Sequence, residues 1–204
     1  MLLSPLDPPS PYVNYCDVFH YNDPAMTPLH EEIIKRVVVF QGRYVSTEVR
    51  TVRLPDGHEA TREIVSPPNA VGVLPIDHTG TVHLVRQYRS ALERAILEIP
   101  AGIIDAGESP EATGRRECEE EVGLIPGRMT PLCGFYHSVG FSTGRIELYL
   151  ATELAPSGRQ HAEPGERLER VALPYAELLR LVLAGEIVHS KTLVAVLWYD
   201  RLHA

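Results

Sequence analysis

The chain has 204 residues, 44% of them hydrophobic and 23% charged, with a formal net charge of -8. That length suits one domain of ordinary size with enough core to fold alone, and that composition excludes a disordered chain. The acidic balance makes a nucleic-acid duplex or an anionic membrane a poor partner, although a small anion can still bind where arginines and a metal reverse the local field.

Three cysteines, Cys16, Cys118 and Cys133, are widely spaced and form no CxxC pair. This argues against a disulfide framework or a zinc knuckle and for a reducing compartment. The start, MLLSPLDPPSPY, lacks the basic and apolar regions of a secretion signal. No apolar run approaches the roughly 20 residues that span a bilayer. The expectation is a soluble cytoplasmic protein.

Residues 1–30 are rich in proline and turn residues and read as an extended leader or arm. Tyr12, Tyr15, Phe19 and Tyr21 are too many aromatics for a pure linker, so part of this arm is expected to pack, on its own subunit or on a partner. Residues 31–66 form a β-rich region, in which Asp56-Gly57 between two β-type runs signals a hairpin. The main domain is read over 67–204. Within it, AVGVLPID, the turn HTG and TVHLVRQYRS predict a second hairpin around His78 to Gly80. AILEIPAG predicts a short strand, MTPLCGFYHSVG and RIELYLATEL two more, and RLERVALP another. Pro174 opens a helix, and SKTLVAVLWYDRL makes the last one. Several strands, one helix, more strands and two helices give a mixed order, so the fold class is α+β or an α/β/α sandwich.

The stretch GIIDAGESPEATGRRECEEEVGL, from Gly102 to Leu124, stands apart. Ser109 is a good N-cap, Pro110 suits the first helical position and Gly123 supplies the stop, which predicts one helix over 109–122. Glu117 and Glu121 then lie one turn apart on one face with Glu120 beside them. Like charges at that spacing repel, and a bound divalent cation removes the conflict. Carboxylate oxygens suit a hard ion such as Mg²⁺ or Mn²⁺. Cys118 and Val122, also one turn apart, give a stripe to bury, which fixes the direction of the carboxylates. A solvated charged face is the plainer reading of a bare Glu-Glu-Glu run.

The spacing decides against that plainer reading. From Gly102, five residues lead to Glu108 and seven more to Arg116, followed by Glu117, Cys118, Glu120, Glu121, Gly123 and Leu124. This resembles the signature box of the Nudix hydrolases at every fixed position. Beyond the box, VFQGRYVSTEVRTVRLPDGHEATREIV, the QYR triplet and LEIPAG look like the ADP-ribose pyrophosphatase branch, so the resemblance covers about residues 33 to 200. It implies a Nudix-type α/β/α sandwich with a mixed β-sheet and an N-terminal β-rich arm, and a homodimer that exchanges N-terminal strands. It also implies hydrolysis of ADP-ribose or a related nucleoside diphosphate sugar to a nucleoside monophosphate and a sugar phosphate. A GDP-sugar as substrate, and a nucleotide-sugar sensor without turnover, are the other readings; the retained glutamates and the missing basic second domain speak against the sensor.

By the same resemblance the metal ligands are Glu117, Glu120, Glu121, the Ala101 carbonyl and Glu166, with Mg²⁺ as cofactor and Mn²⁺ possible. Glu121, Glu120, Glu166 and Glu163 are the candidate catalytic carboxylates, Glu163 falling near the position of the base. Glu108 either binds a water of the metal or braces its loop. Arg116 is expected to pair with a neighbouring carboxylate and orient it. Arg89 and Arg62 are the substrate-side cations, since a planar guanidinium suits phosphate or a base edge. Arg62 with Glu63 sits where the branch reads the nucleobase, though a cross-strand ion pair explains these residues nearly as well. Glu98 is grouped with the substrate site as the expected partner of Arg89 or of another arginine rather than of the metal. Arg86, three residues from Arg89 on a strand, points to the other face. His58, His78, His83 and His189 show no ligand spacing, and His137 reads as a rim histidine. Two departures from the branch stand out: Ser138-Val139-Gly140 replaces Ser-Pro-Gly, and Gly144 stands where an acid is common.

Overall fold

The computed structural model describes residues 29–158 and 168–203. The described residues divide into two compact units, one over 29–67 with Ser138–Thr143, the other over Pro68–His137 with the described residues from Gly144 onward. The leader over residues 1–28, with its aromatics and Cys16, lies outside the described residues, as does the segment 159–167.

In the first unit the long β-type run divides into β1 (Glu32–Gln41) and β2 (Ser46–Arg53), and β3 (Glu59–Ser66) completes an antiparallel sheet in the order β1-β2-β3. The Asp56-Gly57 hairpin forms as expected. Asp56 accepts the His58 N–H at 3.1 Å and Gly57 takes a φ of 86°, a value an L side chain rarely adopts. Every residue of β1 is exposed, including Val37, Val38, Val39 and Phe40.

The second unit is built on β4 (Ala70–Pro75), β5 (Thr81–Arg89), β6 (Arg94–Glu98), β7 (Ala101–Ile103), β8 (Leu124–Tyr136), β9 (Arg145–Pro156) and β10 (Leu168–Pro174). These make a mixed four-stranded sheet, β7-β4-β9-β8, in which β4 and β9 run parallel, and an antiparallel sheet, β10-β5-β6. Here one expectation is corrected. β4 and β5 are not a hairpin: apart from a single bridge between Ile76 and Val82, each pairs within a different sheet. The reason lies in the turn and in the strands. Asp77 accepts from the Thr79 N–H, the Thr79 hydroxyl and the Thr81 N–H, which tightens the reversal. Val71 and Val73 of β4 then enter one apolar cluster while Leu74 enters another, so this strand is buried on both faces. A strand of that kind belongs in the middle of a sheet, and β7 and β9 flank it.

Helix α1 (Pro110–Glu117) and the π-helical turn that continues it (Cys118–Val122) put Cys118 and Val122 onto Val71, Val73 and Ala151. Helix α3 (Ser190–His203) packs over β4, β9 and β8, and α2 (Tyr175–Leu183), opened by Pro174, packs against β10, β5 and α3. Leu178, Val182, Ala195 and Val196 join Leu74, Leu84, Ile99 and Leu148 in the larger core. The fold is therefore α+β, with helices on both faces of a mixed sheet, as the order of elements implies.

Candidate active site

The box begins inside β7, at Gly102. Ser109 takes an extended conformation (φ -80°, ψ 153°) and accepts the Ala112 N–H at 3.2 Å, so α1 starts at the expected cap. Its end departs from expectation. The helix widens into a π turn over Cys118–Val122, a feature frequent at functional sites. Gly123 then stops it at φ 74°.

This geometry delivers three carboxylates. Glu117 projects toward β7, where Gly102 receives it: any Cβ at position 102 would collide with the Glu117 carboxylate. The glycine that opens the box is thus a vacancy shaped for a glutamate. Glu121 is buried at 6% exposure and accepts the Ala101 N–H through Oε2 at 2.9 Å. Ala101 is in register with Gly72 on β4, so the sheet fixes the backbone to which Glu121 is anchored. Glu120 is a third exposed.

Arg116 binds this cluster together. Its Nη1 donates to Glu117 Oε1 at 2.7 Å and Glu120 Oε2 at 3.0 Å, and its Nη2 donates to Glu108 at 3.2 Å and to the Ile103 carbonyl at 3.3 Å. The pairing expected of Arg116 with a neighbouring carboxylate is present. Glu108 also accepts the Thr113 hydroxyl at 2.7 Å. The hydrogen bonds from Arg116 and then Thr113 hold its carboxyl below the usual range. Cys118 lies under the cluster, its thiol pushed up to about 12 by burial and by the charge of Glu121, so it stays protonated and inert.

The donors fit a hard divalent cation. Glu117, Glu120, Glu121 and the Ala101 carbonyl offer only oxygen, and the absence of a side chain at Gly102 lets the Glu117 carboxylate lie against the strand that carries Ala101. Among the described residues no three acidic, histidine or cysteine side chains converge closely enough to form a complete metal site; Arg116 bridges Glu117 and Glu120 instead. Glu163 and Glu166, the remaining candidate carboxylates, lie outside the described residues.

Of the substrate-side residues, Arg89 and Glu98 come together as expected. Arg89 Nε and Nη2 donate to the two Glu98 oxygens, each at 2.6 Å, and Glu98 is 1% exposed. Arg86 takes the other direction and pairs with Glu169. Arg62 and Glu63 lie on β3 of the N-terminal unit, where Arg62 forms a bidentate pair with Glu31 at 2.5 and 3.1 Å rather than with Glu63.

Arg170, Lys191 and Thr192 escaped sequence reasoning, and His189 entered it only as a histidine without ligand spacing. Arg170 on β10 donates from Nε to the Glu121 carbonyl at 2.8 Å and from Nη2 to the Glu120 carbonyl at 3.3 Å, satisfying the end of the π turn beside Gly123. His189, Lys191 and Thr192 come from the start of α3. His189 Nε2 lies 3.1 Å from Glu98, and Thr192 accepts the Ile99 N–H at 2.9 Å. Burial pushes the Lys191 ammonium below its usual range, against the pull of Glu98, Glu121 and Glu117. A helical pattern ranks such polar residues as helix-start chemistry, and only the packed chain brings them under the box.

The NUDIX domain family matches residues 66–194. The chain is 37% identical over 172 residues to the ADP-ribose pyrophosphatase of Bacillus subtilis (strain 168), covering 84% of this chain and 93% of that one. It is 39% identical over 169 residues to the methanol dehydrogenase activator of Bacillus methanolicus, with coverages of 81% and 90%. Against the ADP-ribose pyrophosphatase of Mycobacterium tuberculosis (strain ATCC 25618 / H37Rv) it is 38% identical over 168 residues, covering 81% of each. In fold it is similar to the crystal structure of an ADP compounds hydrolase, with a TM-score of 0.76, 23% identity, and coverage of 84% of this chain and 93% of that chain. A glutamate-bearing box on a sheet-anchored helix, inside a domain matched over this length, places the chain in the Nudix hydrolases, a family that generally works with divalent metal ions.

Proposed function

We propose that this enzyme is a Mg²⁺-dependent pyrophosphatase acting on ADP-ribose or a closely related nucleoside diphosphate sugar. The observation that carries the reading is the anchored carboxylate set, with Glu121 on the Ala101 N–H and Glu117 in the Gly102 vacancy. The substrate class is supported by the similarity to ADP-ribose pyrophosphatases along most of the chain. Glu117, Glu120, Glu121 and the Ala101 carbonyl would hold the cation, with Glu166 as a further ligand. When bound, it neutralises the diphosphate and makes water a better nucleophile. One water adds across the P–O–P bridge: its oxygen joins one phosphorus, the bridging bond breaks, and the departing phosphate oxygen carries the electron pair away. Glu163 or Glu166 takes the proton from that water, Arg89 holds phosphate oxygens, and Arg116 keeps the box carboxylates apart and oriented. Arg62 and Glu63 serve the nucleobase.

The working form is a homodimer in a reducing cytoplasm. Support for the dimer comes from β1, an edge strand whose Val38, Val39 and Phe40 are 60%, 58% and 54% exposed. Support for the compartment comes from Cys118 and Cys133, both free thiols.

A panel of nucleoside diphosphate compounds, assayed with Mg²⁺ and Mn²⁺ and with products separated by chromatography, tests the reading. Nucleoside monophosphate and sugar phosphate from ADP-ribose, ahead of a GDP-sugar, is the expected result. Turnover confined to another diphosphate would replace the substrate, and no turnover of any would remove the activity.

A further inference from the structure

Glu98 is a carboxylate at 1% exposure, and a buried charge is costly unless every oxygen is answered. Arg89 answers it with two bonds of 2.6 Å. The rest of the answer comes from far along the chain. His189 Nε2 lies 3.1 Å from Glu98 Oε2, and His189 Nδ1 lies 2.9 Å from the Thr192 hydroxyl. That hydroxyl accepts the N–H of Ile99, the residue next to Glu98, at 2.9 Å.

The direction of every proton in this ring of contacts is fixed. Ionised Glu98 can only accept, so a neutral His189 carries its proton on Nε2, 3.1 Å from Glu98 Oε2. Nδ1 is then an acceptor, and the Thr192 hydroxyl donates to it while its oxygen accepts the Ile99 N–H. No other neutral tautomer satisfies all four groups. His189 thus meets Glu98 at Oε2, the oxygen that also accepts Arg89 Nη2, while Arg89 keeps 38% of its side chain exposed.

A guanidinium gripped along one edge by a buried carboxylate is a pre-set receptor for an anion, because its fork no longer has to be ordered when the anion arrives. We infer that His189 and Thr192 are positioning residues, which hold Arg89 through Glu98 in the orientation that receives the phosphate oxygens of the substrate. The inference rests on the proposed pyrophosphatase activity and on Arg89 as a substrate contact. It goes further in giving the start of α3 a part in substrate binding.

The test is steady-state kinetics of the full-length enzyme with ADP-ribose and Mg²⁺, for His189→Leu, His189→Gln, Thr192→Val, Arg89→Ala and the double variant His189→Leu/Arg89→Ala. Removing a residue that orients a ligand typically costs about 10–100-fold. His189→Leu and Thr192→Val should therefore raise KM by about tenfold, with kcat and the Mg²⁺ concentration for half-activity changed less than twofold. His189→Gln keeps an N–H for Glu98 and should recover much of the loss. Arg89→Ala should raise KM at least as much, and the double variant should be no worse than Arg89→Ala alone. Circular dichroism and melting temperature show which variants are folded; if His189→Leu is not, Thr192→Val and His189→Gln carry the same comparison. Additive effects in the double variant, or a fall in kcat with KM unchanged, overturn the inference. If Arg89→Ala raises KM while the His189 and Thr192 variants do not, the substrate contact stands and the positioning role falls. If Arg89→Ala leaves KM unchanged, both fall. If the unsubstituted enzyme has no activity on any diphosphate, the proposed function fails first and takes the inference with it.

Discussion

Glu121 does two tasks with one side chain, and they can be separated. Its Oε2 accepts the Ala101 N–H, and its charge is kept inside the box. Glu121→Gln preserves an oxygen for that N–H but removes the charge a cation needs. The fold should survive, seen as an unchanged circular dichroism spectrum, while kcat falls more than the roughly 100-fold typical of a residue that only orients a ligand. Normal Mg²⁺-supported turnover in that variant would end the metal assignment. His189 gives a second residue-level expectation, this one in pH. Burial, helped by the positive charge of Lys191 and opposed by Glu98, lowers its pKa from 6.5 to about 4. The unfolded chain therefore binds a proton that the folded chain refuses between those values, and stability must fall as the proton becomes available. The contribution is complete above about pH 6.5 and is lost as pH drops toward 4. Melting temperatures across that range should decline more steeply for the native chain than for His189→Gln, and parallel curves would show that His189 does not report on folding.

At the scale of elements, α1 with its π turn is the piece most open to view in the sequence. Ser109, Pro110 and Gly123 mark its ends, and the spacing of the glutamates names its chemistry. The π turn was not legible, because its distortion depends on what the exposed carbonyls meet. They meet Arg170, which bonds Glu120 and Glu121 from β10. Arg170→Met keeps the apolar stem and removes those bonds to charged nitrogen, a loss of roughly 1.5–3 kcal/mol. Denaturant titration should show that loss, and kcat should fall with it as the box glutamates loosen; wild-type values in both measurements would reduce Arg170 to a bystander. The lack of pairing between β4 and β5 is illegible in the sequence for a related reason. A turn of Asp, His, Thr and Gly says that the chain reverses, not whether the two arms pair, and that choice belongs to strands brought from elsewhere. The same limit hid His189 and Thr192, whose partners are set by packing over 93 positions of chain.

For the whole molecule, β1 carries the expectation of assembly. Val38, Val39 and Phe40 are half or more exposed on an edge strand, where both apolar surface and unpaired backbone invite another chain. Val38→Lys with Phe40→Lys should turn a dimer into a monomer at micromolar concentration, read by light scattering. An unsubstituted chain that is already monomeric would refute the dimer outright.

The bond from Ile99 to Thr192 and the parallel pairing of β4 with β9 have a temporal meaning as well. Contacts between distant parts of a chain are entropically slow to close, and parallel strands are slower than hairpins. Helical signal needs only α1, α2 and α3, which form locally. The proposed site also needs β7 seated on β4 so that Ala101 can meet Glu121, and α3 docked against Ile99. On refolding from denaturant, far-ultraviolet dichroism should return first and enzymatic turnover distinctly later, with near-ultraviolet signal from Trp198. A chain without α3 lacks both the Thr192 bond to Ile99 and the Ala195 and Val196 share of the larger core, and it should show no turnover.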